Sequence, residues 1–341
     1  MKEQTRFASG SLRAVSSWAD SPTTLYSGSF DLALLVSSWD TRSICVTKSE
    51  AFRSGHTTIL FFEKRDPYGL RDQHDQKLQE FARQASQSVQ PIHCNSLSLE
   101  PTWKELLATI ARQRKALGRP LHIFLDAAVC PRYYLLATVA TALKTGVASR
   151  VSVVYADGLY PETPPGSDED IAFTGGHWRS VAVPSLEGHY SPSKNRFLLV
   201  SIGFEGWKTM RAVARSDPDR VSILHGDPGT TPQYAKRSLK DNAALIDTYQ
   251  IPSEQILRAP ASDAVAAWKT LTERAVERPT TENAYFLCSG TKPHSLALAL
   301  RGLCLRSPAV LYNLPESHKV VLIQPTGRYW RFDIENLTVP Q

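Results

Sequence analysis

The stretch Leu34-Leu35-Val36-Ser37, with Asp40 shortly after it, returns later in the chain as Leu198-Leu199-Val200-Ser201, with Glu205 shortly after it. Each copy is a short apolar run that ends in small and polar residues and an acid. Such a run is typical of a strand that is buried on both faces of a parallel sheet and leads into a helix. The repetition decides the fold prediction, because a chain that contains the same pattern twice is expected to fold as two similar units.

The repetition extends over most of the chain. Further matching pairs occur in the same order in both halves: Asp66-Pro67 with Asp227-Pro228, Trp103-Lys104 with Trp268-Lys269, Phe124-Leu125 with Phe286-Leu287, Val154-Tyr155 with Leu311-Tyr312, and Thr174-Gly175-Gly176-His177-Trp178-Arg179 with Thr326-Gly327-Arg328-Tyr329-Trp330-Arg331. Apolar strings alone match by coincidence, but coincidence does not account well for two Trp-Lys pairs and two Thr-Gly-x-x-Trp-Arg strings in one order. We therefore predict an internal duplication.

Within the first copy, short apolar runs alternate with helical patterns. The apolar runs cover residues 32–36, 58–62, 123–125 and 151–155, and the helical patterns cover residues 73–86, 103–115 and 132–144. Wholly apolar strands separated by helices indicate a parallel sheet that is covered on both faces. The predicted fold class is α/β, with two tandem Rossmann-like parallel-sheet units that are related by internal duplication and form a pseudo-dimer.

The duplication also predicts domain boundaries. Residues 1–26 precede the repeat and are expected to form an N-terminal arm, residues 27–184 the first unit, residues 185–193 a linker, and residues 194–341 the second unit. In this division each Thr-Gly-x-x-Trp-Arg string closes its own unit, where its tryptophan is expected to anchor a short end strand. The acidic, proline-rich loop at residues 161–170 is expected to be exposed, and it and the arm are candidate docking elements.

Composition limits the classes of function. With 42% hydrophobic and 21% charged residues, the chain of 341 residues is expected to be globular. It has no apolar run that could span a membrane and no apolar segment of signal-peptide type, so a cytoplasmic protein is expected. Five cysteines without a CxxC pair favour neither a disulfide framework nor a zinc site, and we expect no metal and no cofactor. The net charge of +6 and the pI near 9.0 are compatible with an anionic ligand.

Ligands of open parallel sheets bind beyond the carboxyl ends of the strands. The loop after the first strand of the first copy carries Asp40 and Arg42, and its counterpart carries Glu205 and Lys208. An acid and a base at a helix start suit an anion or a ribose, but an acid there is also typical of a helix cap. Neither a Walker A loop nor a GxGxxG fingerprint is present, so a standard P-loop or dinucleotide domain is not predicted.

The loop after the Phe-Leu strand differs between the copies. The first copy has Asp126, whereas the second reads Ser289-Gly290-Thr291-Lys292 before Pro293. Backbone amides, a hydroxyl and an ammonium group at a helix start suit a phosphate, and proline suits the first helical turn. The predicted ligand-binding residues are Ser289, Gly290, Thr291 and Lys292, with second-rank contacts from Arg42, Arg132 and Lys208. A structural strand-to-helix turn is the alternative.

The string Ser289-Gly290-Thr291-Lys292-Pro293, after a short strand and before an apolar helix, resembles the Gly-Gly-Thr-Lys loop of CARF domains. Those domains are Rossmann-like sensors of cyclic oligonucleotides in CRISPR and related antiphage systems, and two such units in one chain are similar to the fused pair of SAVED domains. The resemblance implies a nucleotide or cyclic oligonucleotide cradled between the two copies, and protein partners in a prokaryotic antiviral defence complex. The chain departs from the family pattern at Ser289, which replaces the first glycine, and in the first copy, which has no Thr-Lys string.

Two other classes of function remain open from the sequence. Asp40, Asp126 and Glu205 are candidate catalytic carboxylates of a nucleoside- or nucleotide-processing hydrolase, since paired carboxylates suit the hydrolysis of N-glycosidic bonds. Alternatively, the chain is a catalytically silent scaffold subunit of a defence complex, because a fold alone does not define a function. A nucleotide sensor is the preferred hypothesis, and whether the protein is an enzyme is left open.

Overall fold

A computed structural model describes residues 2–62, 66, 68–95, 98–160, 173–305, 307–319 and 321–339. The chain divides into two compact units. Unit 1 consists of Met1–Pro161 and Val320–Gln341, and unit 2 consists of Glu162–Lys319. The chain therefore leaves unit 1 once and returns to it for its last strand.

Strands and helices alternate through most of the chain. The strands are β1 (Lys2–Ser9), β2 (Leu12–Ala19), β3 (Gly28–Ser37), β4 (Phe52–Phe61), β5 (Ser86–His93), β6 (Leu121–Asp126), β7 (Ala148–Leu159), β8 (Thr174–Ala182), β9 (Asn195–Ser201), β10 (Arg220–Gly226), β11 (Ile256–Ala259), β12 (Glu282–Cys288), β13 (Ala309–His318) and β14 (Gln324–Asn336). The helices are α1 (Pro22–Leu25), α2 (Arg71–Ala85), α3 (Leu99–Leu117), α4 (Arg132–Lys144), α5 (Gly206–Ser216), α6 (Pro232–Asp241), α7 (Ala243–Thr248), α8 (Ala264–Arg274) and α9 (Lys292–Leu305), with 3₁₀ turns at Thr41–Lys48 and Ser253–Gln255.

The unit 1 sheet has the order β1-β2-β14-β7-β6-β3-β4-β5. Its strands β3 to β7 are mutually parallel, whereas β14 runs antiparallel to both β7 and β2. The parallel strands come in the order third, second, first, fourth, fifth, which is the order of a Rossmann-type sheet. Phe30, Phe52 and Phe124 from neighbouring strands fill the core on one face, with ring centroids 4.8 to 5.4 Å apart.

The unit 2 sheet has the order β11-β10-β9-β12-β13-β8. Strands β9 to β13 are parallel and repeat the order third, second, first, fourth, fifth, and β8 runs antiparallel to β13. The apolar residues of β9 and β10, such as Leu198, Val200 and Ile223, pack against α5 and α7. The predicted α/β, Rossmann-like fold class is therefore confirmed for both units.

The predicted boundary between the units needs correction. Residues 174–182 were assigned to the first unit and residues 324–336 to the second, but β8 lies in the sheet of unit 2 and β14 in the sheet of unit 1. The reason is strand pairing: β14 forms backbone hydrogen bonds with β7 and β2, and β8 forms them with β13. The order of strings along the chain does not show which sheet an end strand joins.

The predicted N-terminal arm also needs correction. Residues 1–26 contain β1, β2 and α1, and β2 pairs with β14 along its whole length within the unit 1 sheet. Leu12, Ala14 and Ser16 alternate with less buried residues along β2. Apart from Leu12, the buried side chains of β2 are small, so the strand carries only a weak apolar signal in the sequence. The loop at residues 161–170 lies outside the described residues, so its predicted role as a docking element stays a prediction.

Internal duplication itself also stays a prediction. Trp178 and Trp330 are both buried and both lie on the antiparallel strand beside the fifth parallel strand. However, Trp178 stands opposite Pro315, whereas Trp330 stands opposite Tyr155. A shared strand order is common to many α/β sheets, so it does not by itself demonstrate repetition.

In the described part of the chain, no helix combines the length and the apolar character that crossing a bilayer requires.

We expect Trp330 to be a structural anchor of the unit 1 sheet. Its side chain is 6% exposed, and its ring stacks on Phe332 with centroids 6.4 Å apart. Because β14 joins β2 to β7, Trp330→Ala should lower the free energy of unfolding by about 3–5 kcal/mol, the usual cost of a large-to-small core truncation. Urea unfolding followed by circular dichroism measures this loss.

The control is Leu337→Ala, which truncates a side chain that is 52% exposed just after the same strand. It should change stability by less than about 0.5 kcal/mol. Equal unfolding midpoints for Trp330→Ala and wild type would contradict the structural role.

Candidate functional site

The Ser289–Lys292 loop joins β12 to α9, and its residues form hydrogen bonds with neighbouring segments of unit 2. The Thr291 hydroxyl donates to the Ala261 carbonyl oxygen at 2.7 Å and accepts from the His294 amide at 3.3 Å. Thr291 therefore caps α9, and Pro293 at the second helical position has no amide to donate. Lys292, the first residue of α9, is half-buried. These contacts are those of a structural strand-to-helix turn, the alternative to a phosphate site. Phosphate binding at this loop therefore stays a prediction, and it depends on Lys292.

Two glycines close the crevice between the first and fourth strands of unit 2. A Cβ on Gly290 would lie 2.9 Å from the Ile202 carbonyl oxygen, and a Cβ on Gly203 would lie 2.9 Å from the Ser289 carbonyl oxygen. The Gly290 amide also donates to the Ser201 hydroxyl at 3.0 Å. The loops after β9 and β12 thus pack backbone to backbone at the position where ligands of open α/β sheets usually bind.

In unit 1, the predicted acid and base after β3 form a buried ion pair. Arg42 Nη2 lies 2.6 Å from Asp40 Oδ2, and both side chains are almost fully buried. The Asp40 carboxylate also accepts a hydrogen bond from the Arg42 amide at 2.9 Å, so Asp40 caps the 3₁₀ turn that follows. The Arg42 guanidinium lies 3.4 Å from the Ala156 carbonyl oxygen. The pair therefore connects the turn to β7.

Asp126 and Arg132 lie at the same edge of the unit 1 sheet. The Asp126 carboxylate accepts a hydrogen bond from the Ala128 amide at 3.0 Å. Burial raises the pKa of the Tyr155 phenol well above its ordinary value, and Arg42 and Arg132 both lie close enough to oppose that rise. Both predicted second-rank arginines of unit 1 therefore lie within electrostatic range of Tyr155.

Glu205 and Lys208 form the centre of a buried network in unit 2. Lys208 Nζ lies 3.1 Å from Glu205 Oε1 and 2.6 Å from Thr174 Oγ1. The same Glu205 oxygen accepts hydrogen bonds from the Thr174 hydroxyl at 2.7 Å and the Thr174 amide at 3.1 Å. The Trp178 indole donates to Thr174 Oγ1 at 2.9 Å. The Thr-Gly-x-x-Trp-Arg string of β8 is therefore tied to the start of α5.

The three candidate catalytic carboxylates lie in different units. Asp40 and Asp126 belong to unit 1 and Glu205 belongs to unit 2, and each accepts hydrogen bonds from its own unit. Among the residues that the structure describes, no group of three or more histidine, cysteine, aspartate or glutamate side chains is arranged to hold a metal ion.

Beside the Glu205 network, α5 and the start of β8 form a shallow groove, which we call the α5 groove. It is lined by Gly176, His177, Trp178, Trp207, Lys208, Arg211, Ala212 and Arg215. Trp207 is 43% exposed, and Arg211 and Arg215 are exposed. Of these residues, only Lys208 was predicted to bind a ligand. Trp207, Arg211 and Arg215 could have been found from the sequence, because a spacing of four residues places them on one face of α5.

Cations and aromatic rings interleave in the α5 groove. The Lys208 ammonium lies 5.4 Å from the centroid of the Trp207 ring, and the Arg211 guanidinium lies 5.7 Å from it. The Lys208 charge is matched within its network, but neither Arg211 nor Arg215 forms an ion pair with any described residue. Like charges four residues apart destabilise a helix, so a bound anion would relieve this arginine pair.

His294, which follows the Ser289–Lys292 loop, is fully buried. Its Nε2 lies 3.1 Å from the Pro260 carbonyl oxygen, so Nε2 carries the proton of the neutral ring. Its Nδ1 has no hydrogen-bond partner among the described residues. Burial lowers the pKa of His294 to about 4, because a second proton would place a charge in the protein interior.

We expect stability to fall on acidification, with His294 as one identifiable cause. In the unfolded chain a histidine takes up a proton near its ordinary pKa of about 6.5, whereas in the folded chain the pKa of His294 is about 4. Between these values the unfolded state binds more protons, so this contribution is complete above the unfolded pKa and is lost as the pH falls. Urea unfolding at pH 7 and pH 5 should show a loss that is about 2 kcal/mol smaller in His294→Gln than in wild type.

Glutamine keeps a side-chain N–H with which to reach the Pro260 carbonyl. The matched control is His189→Asn, at an exposed histidine of the same unit, and it should retain the wild-type dependence on pH. If His294→Gln loses as much stability between pH 7 and pH 5 as wild type does, the assignment is wrong.

Comparisons with known proteins do not indicate a function for this chain. No protein-family model matches the chain, and no curated protein matches it. A similar chain among the solved structures is the cytoplasmic domain of a prokaryotic cation chloride cotransporter, which is 12% identical. The alignment covers 84% of this chain and 96% of that chain, with a TM-score of 0.22. A similarity of this size supports no inference about function.

Proposed function

We propose that the protein recognises a nucleotide and that the α5 groove of unit 2 binds it. The observation that carries the proposal is the exposed Trp207 ring beside Arg211, with Arg215 one turn further along α5. Neither arginine forms an ion pair with any described residue, and Arg215 donates a hydrogen bond to the Trp178 carbonyl oxygen at the edge of the groove. A nucleotide combines a planar base with a phosphate. The tryptophan offers a face for the base, and the arginines offer donors for the phosphate.

The neighbouring network supports this assignment by holding the groove in place. Lys208 contacts Glu205 and Thr174, so its ammonium group stays close to the Trp207 ring. Its charge is already matched by Glu205. In this proposal Lys208 therefore orients the aromatic ring, while Arg211 and Arg215 contribute the net positive charge.

The closed crevice of unit 2 also favours the α5 groove. A ligand between the loops after β9 and β12 would have to displace backbone that packs at Gly203 and Gly290. The exposed face of α5 requires no such rearrangement. We retain Lys292 as the alternative phosphate contact, and the experiment below separates the two positions.

The proposed cellular setting rests on a sequence resemblance and not on the groove. A role as a cytoplasmic sensor in prokaryotic antiviral defence, with protein partners, depends on the resemblance of Ser289–Lys292 to the CARF loop alone. We prefer this role to the hydrolase alternative, because Asp40 and Glu205 are each held in an ion pair with a basic residue of their own unit.

We expect Trp207→Ala and Arg211→Ala to weaken nucleotide binding without unfolding the protein. Loss of base stacking costs about 1–3 kcal/mol, and loss of a charge-assisted hydrogen bond costs about 1.5–3 kcal/mol. Each variant should therefore raise the Kd for AMP or ATP at least about fivefold. Isothermal titration calorimetry at fixed ionic strength measures this change.

Two further variants make the test specific. Arg274→Ala removes an exposed arginine near the end of another helix of unit 2 and should leave the Kd unchanged. Lys292→Ala should also bind as wild type does if the α5 groove is the site. A loss of affinity in Lys292→Ala alone would move the site to the loop, and no binding of any nucleotide would end the proposal in favour of the scaffold.

A further inference from the structure

A second aromatic group lies next to the α5 groove. It consists of Phe204, Tyr234 and Arg237, and we call it the Phe204 cluster. The Phe204 and Tyr234 rings meet edge to face with centroids 5.4 Å apart, and the Arg237 guanidinium lies 5.0 Å from the Phe204 centroid. All three side chains are partly exposed. The cluster thus has the same composition as the groove, namely aromatic rings with an arginine.

The packing of α5 against the end of α6 holds this cluster in place. A Cβ on Gly206 would lie 1.6 Å from the Asp241 carbonyl oxygen, so only glycine permits this approach. Asp241 also binds Arg237, with 3.2 Å between Arg237 Nε and the carboxylate. The start of α5 therefore carries Phe204 into contact with Tyr234 of α6.

The two aromatic groups are close together along the chain. Phe204 and Trp207 are three residues apart, so their Cα atoms lie within about 11 Å of each other. Neighbouring bases of an extended strand can bridge such a distance. Proteins that hold single strands combine a basic surface with aromatic rings on which successive bases stack.

We propose that the ligand of this surface is a linear single strand of nucleic acid, at least two nucleotides long. One base stacks on Trp207 and the next contacts the Phe204 cluster, while Arg211 and Arg215 face the phosphates. This inference rests on the proposed function, since it extends the ligand of the α5 groove to a second position. It differs from that proposal in requiring an extended ligand.

The composition of the surface favours a single strand over an acidic peptide. Carboxylates would satisfy the arginines, but they would leave the Trp207 ring and the Phe204 cluster without planar partners. A nucleic acid strand supplies both a charge and a flat ring at each step. Binding of an acidic peptide is therefore measured as a result that would contradict the proposal.

The experiment is a length series with the full chain. Calorimetry measures the Kd of pA, the linear forms pApA and pApApA, the cyclic dinucleotide of adenylate, and a hexaglutamate peptide. Wild type should bind pApA at least about fivefold more tightly than pA, as expected for one additional stacked base. The slope of log K against log salt should also become steeper by about 0.7 for each phosphate gained.

The variants locate the second position. Phe204→Leu and Tyr234→Leu should each remove most of the gain from pA to pApA while leaving the Kd of pA unchanged. Tyr190→Leu, which truncates an aromatic side chain of unit 2 that is 62% exposed, should keep the gain. The use of two separate cluster variants keeps the test valid if one of them fails to fold.

The outcomes separate this inference from the proposed function. If pA binds and depends on Trp207 but pApA binds no more tightly, the extended strand is wrong and the nucleotide site stands. If the cyclic dinucleotide binds as tightly as linear pApA, a compact ligand replaces the extended one. If neither pA nor the longer strands bind, or if hexaglutamate competes equally well, both proposals are overturned.

Discussion

The pairing of β14 with β7 and β2 is the interaction on which unit 1 depends. It joins the end of the chain to strands from its beginning, so the parallel strands and the β1–β2 hairpin form one sheet only when β14 is in place. Contacts between such distant segments carry a large entropic cost of loop closure, which must be offset by the hydrogen bonds and apolar burial along the strand. Burial of Trp330 and Phe332 on β14 supplies part of that compensation.

Close backbone packing determines where a ligand has room in unit 2. Gly203 and Gly290 allow the loops after the first and fourth strands to touch, and this contact fills the usual crevice of an open α/β sheet. Gly206 allows α5 to pack directly against the end of α6. The consequence is that the exposed side of α5, rather than the sheet edge, presents cations and aromatic rings to solvent. A Rossmann-like strand order therefore does not by itself locate the site.

Two of the buried ion pairs join partners that are close in sequence. Asp40 pairs with Arg42, and Glu205 pairs with Lys208, at the ends of equivalent first strands. Asp40 also caps the 3₁₀ turn that follows it, and Glu205 accepts hydrogen bonds from the amide and the hydroxyl of Thr174, so neither carboxylate is buried without partners. The contrast with Arg211 and Arg215, which have no ion-pair partner among the described residues, is what distinguishes a stabilising charge from a candidate binding group.

The sequence by itself determined the α/β class and most of the parallel strands, because wholly apolar runs such as Leu32–Val36 are local signals of burial on both faces. It also placed Glu205 and Lys208 together at one helix start, since they are three positions apart in the loop after the same predicted strand. Only the tertiary structure decided that β8 and β14 join sheets other than the predicted ones, because the residues of an end strand do not specify the strand with which it pairs. It likewise decided that Thr291 caps a helix and that Trp207, Arg211 and Arg215 share an exposed groove, since burial depends on which segments pack above each residue.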